Sequence, residues 1–464
     1  MLGDFSGRSS RNLRDTLSGR KPKGVDCDNL DDVLQRLNVL LELRGTSEST
    51  DVRFYSMADF HPDKLVERAA SVATTYDLRM KLLNPGTFPG AAQTLTALLK
   101  PAATPAGPEK MRNPVASPKE SNEETLQRLL GRAPQRTRRA DFVQEKVEEL
   151  IRQSLTTEVT SSLEPELKEL LPAVDLFLGH QLNGLLHHPD FQSLEAAWRS
   201  IDFLVRNLDT DEMLGVYLLD VSFEELAEEL NSTNDLSFTA PYKWLVEDTV
   251  GQRGGLPWAV VLGDYYFSPP DPEHNELLIR LARLCAAGKT VFLAGAAPSV
   301  LSLAEQRGKP ESWLELRTMP EASSIGLLFP RFLLRLPYGS KTDPIDAFEF
   351  EETPEGSRSE HYLWGNAAFL AGCLLGQSFS NYGWDFSPGM IDQCEGRPVH
   401  TFRDGGETHM TPCGELWLSD ATVERLERVG IMALQSIQNR DAVRLPRFHS
   451  LASPLTALRG RWTG

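Results

Sequence analysis

The run Trp258-Ala259-Val260-Val261-Leu262-Gly263 is short, apolar and ends on glycine, which makes it a strand candidate. Residues 272–287 follow with helical spacing, and residues 290–295, Thr290-Val291-Phe292-Leu293-Ala294-Gly295, read as a second strand. Upstream, residues 215–221 give another strand and residues 223–230 another helix. Strands that alternate with helices argue for an α/β layer with parallel elements, because a parallel pair needs a crossover long enough to hold a helix.

Working outward, Phe191, Leu194, Trp198, Ile201 and Val205 lie on one stripe of a helix. Charged helical sequence runs from Glu123 to about Leu155. Before it, residues 101–122 carry repeated prolines among small and charged residues and read as a partly stiff linker. The chain of 464 residues therefore divides into residues 1–100, a linker at 101–122, and residues 123–464. In the first part, Leu30, Val33, Leu34, Leu37 and Leu41 predict a helix over 30–41. Val52-Arg53-Phe54-Tyr55 is a strand candidate, and Ser56 to Pro62 reads as a loop entering a helix along Leu65, Ala69, Val72, Tyr76, Met80 and Leu83.

A formal charge of −17 opposes generic binding to nucleic acid or anionic lipid. Five cysteines without a Cys-x-x-Cys pair indicate neither a disulfide framework nor a zinc ribbon, and suit a reducing cytoplasm. The first residues contain no apolar signal core, and no apolar stretch reaches membrane-spanning length, so neither a signal peptide nor membrane insertion is expected.

Enzyme fingerprints are sparse. The sequence holds no phosphate-cradling Gly-x-x-x-x-Gly-Lys-Ser/Thr, no His-Glu-x-x-His and no Gly-x-Ser-x-Gly. Adjacent His187 and His188 read as capping or packing residues rather than metal ligands. Asp264 follows an apolar strand, where α/β enzymes often present carboxylates, but no nucleophile accompanies it, so a turn or ion-pair role is preferred. Gly254-Gly255 and Gly405-Gly406 read as turns, and Trp198, Trp258, Trp364 and Trp384 as core anchors. Arg331 and Arg335 would share one face if residues 327–335 formed a strand, with Glu349 or Glu351 as partners or an acidic neighbour as the alternative. Pro330 would place that strand at an edge or a bulge.

The phrase Leu186-His187-His188-Pro189-Asp190-Phe191-Gln192-Ser193-Leu194-Glu195-Ala196-Ala197-Trp198-Arg199 is similar to the signature of the large subunit of type VI secretion contractile sheaths. Further phrases follow in that family's order: Gly254-Gly255-Leu256-Pro257, Gly263-Asp264-Tyr265-Tyr266-Phe267, Pro330-Arg331-Phe332-Leu333-Leu334-Arg335-Leu336-Pro337-Tyr338-Gly339, Phe348-Glu349-Phe350-Glu351-Glu352, Leu363-Trp364-Gly365-Asn366 and Tyr382-Gly383-Trp384. The first part resembles the small sheath subunit through Gly3-Asp4-Phe5-Ser6-Gly7, Val25-Asp26-Cys27-Asp28-Asn29-Leu30 and Phe54-Tyr55-Ser56-Met57-Ala58-Asp59-Phe60-His61-Pro62-Asp63.

The resemblance implies a small α+β N-terminal domain packed on a larger α/β domain. It also implies a structural role without catalysis or cofactor in a bacterial cytoplasm. Its partners would be other sheath subunits, an inner-tube protein, baseplate components and an unfoldase of the ATP-driven ring class (AAA+). Trp198, Arg199, Asp264, Arg331, Arg335, Glu351, Trp364 and Asn366 become candidate structural or interface residues. Both ends are shorter than the family's usual pattern, which leads us to expect a terminal ring or adaptor that does not propagate into long tubes. The competing expectation is an α/β hydrolase or transferase using Asp264 or a histidine.

Overall fold

A computed structural model describes residues 1–43, 50–98, 163–353, 359–404 and 407–463. The linker at 101–122, the charged stretch from Glu123 to about Leu155, and Gly405-Gly406 lie outside the described residues. Contact density divides the chain into two units, Met1–Val72 with Gln181–Gly464, and Ala73–His180.

In the larger unit, seven strands form one sheet in the order Ile431–Ala433, Ile325–Phe329, Val291–Ala296, Val260–Phe267, Leu2–Gly3, Val216–Asp220 and Lys23–Val25. All neighbours are parallel except the last pair, where Lys23–Val25 runs antiparallel to Val216–Asp220. This is the expected α/β architecture. Val291–Ala296 is buried at every position, as suits a parallel strand covered on both faces. Side chains alternate across the sheet, so Val261, Phe292 and Ala294 join the apolar cluster that holds Leu278, Ala282 and Cys285 of helix Pro272–Gly288. Leu262 points the other way, to Gly372 of helix Ala367–Tyr382, where an added Cβ would lie 2.5 Å from the leucine side chain.

Local chemistry fixes the ends of these helices. Asp271 accepts a hydrogen bond from Glu273 N at 2.9 Å, Pro272 occupies the first turn, and Lys289 closes the helix in the left-handed region. The tripeptide His-Pro-Asp starts two further helices, Pro62–Arg68 and Pro189–Asn207. In each, the histidine Nδ1 accepts from the aspartate N–H at 3.3 Å, so His61 and His188 are both caps.

The N-terminal stretch enters the middle of the sheet. Leu2 pairs with Leu219 on one side and Gly263 on the other. The chain then turns through Asp4-Phe5-Ser6-Gly7. Gly7 has φ +76°, and a Cβ there would lie 2.4 Å from Leu40 O, so the turn requires glycine.

Several expectations are corrected. Helix Leu30–Leu37 stops at Asn38, which adopts the left-handed conformation, and Leu41 belongs instead to strand Leu40–Leu43, paired with Thr50–Arg53. Tyr55 lies beyond that strand and is exposed. The apolar series from Leu65 breaks at Ala69, whose ψ of 111° separates helices Pro62–Arg68 and Ala70–Leu83, and Met80 and Leu83 are exposed. Residues 327–335 are two strands, Ile325–Phe329 and Phe332–Arg335, with Pro330 and Arg331 in the link rather than within an edge strand. Trp384 is 44% exposed and is no core anchor.

In the smaller unit, Leu82, Phe88, Ala91, Leu95 and Val174 form a separate apolar cluster, and Arg79 Nε donates to Asp175 Oδ1 at 2.5 Å.

Candidate functional site: two buried charge centres

The first centre is built on Arg335, at the end of strand Phe332–Arg335. Its Nε donates to Glu195 Oε1 at 2.8 Å, its Nη1 to Glu352 Oε2 at 2.8 Å, and its Nη2 reaches the second oxygen of each. The guanidinium lies 4.2 Å from the Tyr338 ring centroid. Arg199, one helical turn after Glu195, donates to Glu195 Oε1 at 2.7 Å and to Tyr338 Oη at 2.9 Å. Tyr338 N donates to Glu352 Oε2 at 2.7 Å, and His187 Nε2 stands 3.3 Å from Glu352 Oε1. Burial by itself would lower the Arg335 pKa, but Glu195 and Glu352 outweigh it and hold it above the ordinary value. Burial would likewise raise the Glu352 carboxyl, yet Arg335 and the hydrogen bonds hold it down to about 2.

The second centre reverses the signs. Glu225, in the first turn of helix Phe223–Asn231, accepts from Arg8 Nε and Nη2 and from Arg20 Nη1 and Nη2, all between 2.7 and 3.0 Å. Ser222 and Glu225 also form a reciprocal capping box. Burial would raise the Glu225 carboxyl, but Arg20 and Arg8 hold it down to about 2. Beside it, Asp220 accepts from Phe5 N at 2.8 Å, Ser6 N at 3.0 Å and Ser6 Oγ at 2.7 Å. The N-terminal residues are thus joined to residues more than 200 positions downstream by charge-assisted bonds as well as by strand pairing.

The expected site residues fall into these surroundings unevenly. Trp198 is fully buried, donates from Nε1 to Phe5 O at 2.8 Å and meets the Phe5 ring edge-on. Arg199 and Arg335 come together, although the acids that hold Arg335 are Glu195 and Glu352, not Glu349 or Glu351. Arg331 forms a separate two-pronged pair with Glu415, at 2.8 and 2.6 Å. Glu351 accepts from Ser340 N at 3.0 Å and Ser340 Oγ at 2.5 Å. Trp364 is buried and donates to Ser359 O at 2.7 Å. Asn366 caps helix Ala367–Tyr382 through Ala368 N at 3.0 Å and donates to Gly263 O and Tyr265 O, at 3.3 and 3.1 Å.

Asp264 sits at an irregularity in strand Val260–Phe267, on a cavity lined also by Asp4, Ser10, Asp190 and Ser193. Burial pushes its carboxyl up to about 7, Asn366 opposes this and Asp4 adds to it. The cavity offers carboxylates and hydroxyls and no histidine or cysteine. Among the described residues, no three histidine, cysteine or acidic side chains are placed to hold a metal, and no helix is long and apolar enough to cross a membrane.

Sequence reading missed Glu225, Asp220, Arg8 and Arg20 altogether. Glu195 carried a visible signal, since it lies four residues before Arg199 on one helix face.

Residues 168–452 match the model of the VipB family, "EvpB/VC_A0108, tail sheath N-terminal domain", which covers more than half of the chain. The chain belongs to the type VI secretion sheath family. Residues 1–100 of this sheath-family chain match the family "Type VI secretion system, VipA, VC_A0107 or Hcp2". Over 345 residues it is 34% identical to the type VI secretion system sheath protein TssC1 of Pseudomonas aeruginosa, covering 69% of each chain. It is a structural sheath component combining VipA-like and VipB-like parts in one polypeptide, and not an enzyme.

Proposed function

We propose that this chain is a pre-joined sheath protomer, with residues 1–100 as its small-subunit-like part and residues 123–464 as its large-subunit-like part, connected through 101–122. The observation that carries the reading is the Leu2–Gly3 strand, seated between Val216–Asp220 and Val260–Phe267 so that both parts share one sheet. A linker of this kind keeps the parts at an effective concentration on the order of millimolar, which removes the diffusional step from their association.

The protomer works mechanically in the bacterial cytoplasm. A contact repeated between copies by a rotation that does not close builds a helical tube, and two alternative packings of the same rigid protomer let such a tube contract. Other sheath subunits, an inner-tube protein, baseplate components and an AAA+ unfoldase are its partners in this reading. The buried charge centres, both within the larger unit, hold that unit together while the contacts between copies change.

Electron microscopy of the purified chain, with and without an inner-tube protein, tests this. Ordered assemblies whose repeating unit is one chain are expected, and whether they stop at single rings or extend into tubes separates a non-propagating component from an ordinary sheath subunit. Decoration confined to the ends of sheaths made from other subunits would assign the chain to a terminal or adaptor ring. Monodisperse monomers that bind no sheath component would overturn the proposal.

A further inference from the structure

Three carboxylates converge on one cavity of about 180 Å³, and no lysine, arginine or histidine is among the residues that line it. Asp4 comes from the turn after Leu2–Gly3, Asp190 from the first turn of helix Pro189–Asn207, and Asp264 from strand Val260–Phe267. Ser9, Ser10 and Ser193 add hydroxyls. Like charges in so small a space favour a proton on one of them.

Asp264 is the carboxyl that its surroundings support least. Asp4 accepts from Arg8 N at 2.6 Å and from Ser9 N at 2.7 Å, one bond on each oxygen. Asp190 lies at a helix N-terminus, where the dipole favours its charge, and His188 stands 3.9 Å from it. Asp264 is supported by the neutral amide of Asn366, which also serves Gly263 O and Tyr265 O, and it faces the charge of Asp4. The Gly3 backbone passes directly against it, since a Cβ on Gly3 would lie 3.0 Å from the Asp264 Cβ. The cations of this end of the sheet are engaged elsewhere, Arg8 and Arg20 on Glu225 and Arg11 on Ser6 O and Gly7 O. Asp220 is taken up by Phe5 and Ser6, and the Tyr265 hydroxyl donates to Val221 O. The rise of the Asp264 carboxyl to about 7, caused first by burial, opposed by Asn366 and increased by Asp4, agrees with this geometry.

We propose that Asp264 is a proton-operated latch for the N-terminal turn, whose residues Asp4, Gly7, Ser9 and Ser10 form one wall of the cavity. With the carboxyl neutral, the turn sits against it without opposing charge. When the turn lifts, water reaches Asp264 and the carboxyl gives its proton to solvent, so opening is coupled to the loss of one proton. The turn is therefore held most firmly in weak acid and is released progressively as pH rises from about 4 to about 7. Nothing further is lost above that, where both states are ionised. The latch concerns how the N-terminal residues seat on the downstream body and needs no assembly into a sheath.

Amide hydrogen exchange at Phe5, Ser6, Arg8 and Ser9 in the full chain, each rate divided by its intrinsic rate at the same pH, reads the opening. Between about pH 5 and pH 7, protection should fall about tenfold further in the unaltered chain than in Asp264→Asn, and the gap should stop widening above that range. Asp4→Asn should move the levelling point to lower pH because the opposing charge is gone, a shift that a merely structural aspartate would not show. Trp198, whose Nε1 donates to Phe5 O, gives a second readout, and its fluorescence in the unaltered chain should change over the same range. Parallel protection profiles in the unaltered chain and Asp264→Asn would overturn the proposal. So would a levelling point that ignores Asp4→Asn, or Trp198 fluorescence that stays flat across the range.

Discussion

The Arg335 centre sets one guanidinium between two carboxylates, with Arg199 added on Glu195, whereas the Glu225 centre sets one carboxylate between two guanidiniums. They differ in access to water. Arg335 and its two acids are buried on all sides, with 8%, 0% and 0% of their side chains exposed. Arg8 and Arg20 keep 12% and 16% exposure around a Glu225 that has almost none. The Arg335 centre joins residues that all lie downstream of position 181. The Glu225 centre joins the N-terminal residues to that body. A buried ion pair contributes little net stability compared with apolar packing, but removing one partner leaves a charge that nothing compensates. The comparison therefore predicts that the deeper centre punishes disruption more, while the shallower one governs whether the N-terminal residues stay docked.

The largest effect should come from Arg335→Ala, which leaves buried Glu352 without its guanidinium and Glu195 with Arg199 alone. A loss of about 3–5 kcal/mol is expected, measured by urea unfolding of the full chain. Trp198→Ala belongs in the same range, about 3–5 kcal/mol, because it opens a cavity and leaves Phe5 O without its donor. An unchanged midpoint for either would show that the corresponding core does not exist as described. Glu225→Gln should cost less, about 1–3 kcal/mol, since both arginines can turn partly to solvent. Its hydrogen-exchange signature should concentrate in residues 1–25 rather than spread through the sheet.

Acid sharpens the comparison in a different way. Glu225 and Glu352 are both held down to about 2 from an ordinary value of 4.5. Their contribution is present above pH 4.5 and is lost as pH falls from there towards 2, because the unfolded chain then binds protons that the folded chain resists. Asp264 has the opposite sign. Its carboxyl is raised to about 7, so the folded chain holds a proton that the unfolded chain has released, and stability falls as pH rises from about 4 to 7. Asp264→Asn should therefore stabilise the protein above pH 7, on the order of 1–2 kcal/mol given partial access to water, and have no effect near pH 3. Equal effects at both pH values would contradict the assignment. The smallest change should come from Arg331→Ala. With 40% of its side chain exposed, that pair with Glu415 is worth at most about 1 kcal/mol.

The sequence made the strand and helix alternation from residue 215 to residue 295 legible because each element is long enough for its period to show. Leu2–Gly3 was illegible for the opposite reason: two residues carry no period, and only the neighbours reveal them as a strand. Leu41 extended a helical pattern by coincidence, and the chain left the helix at Asn38 because asparagine tolerates the left-handed turn. Partners of buried charges were hidden by separation. Arg335 lies 140 residues from Glu195 and Arg8 lies 217 from Glu225, so no local spacing could pair them. The family phrases, in contrast, could be read directly, and several of them place the charged residues themselves, as with Glu352 after Phe348-Glu349-Phe350-Glu351.

Through Leu2–Gly3 the N-terminal residues share a sheet with the downstream body, so the two should behave as one folded unit rather than as two domains on a string. The most direct measurement is to place a protease site within residues 101–122, cleave the purified chain, and run the product on size exclusion. Both pieces should elute together at the position of the intact chain and separate only under conditions that unfold the sheet. Two well-folded pieces eluting apart in ordinary buffer would contradict it.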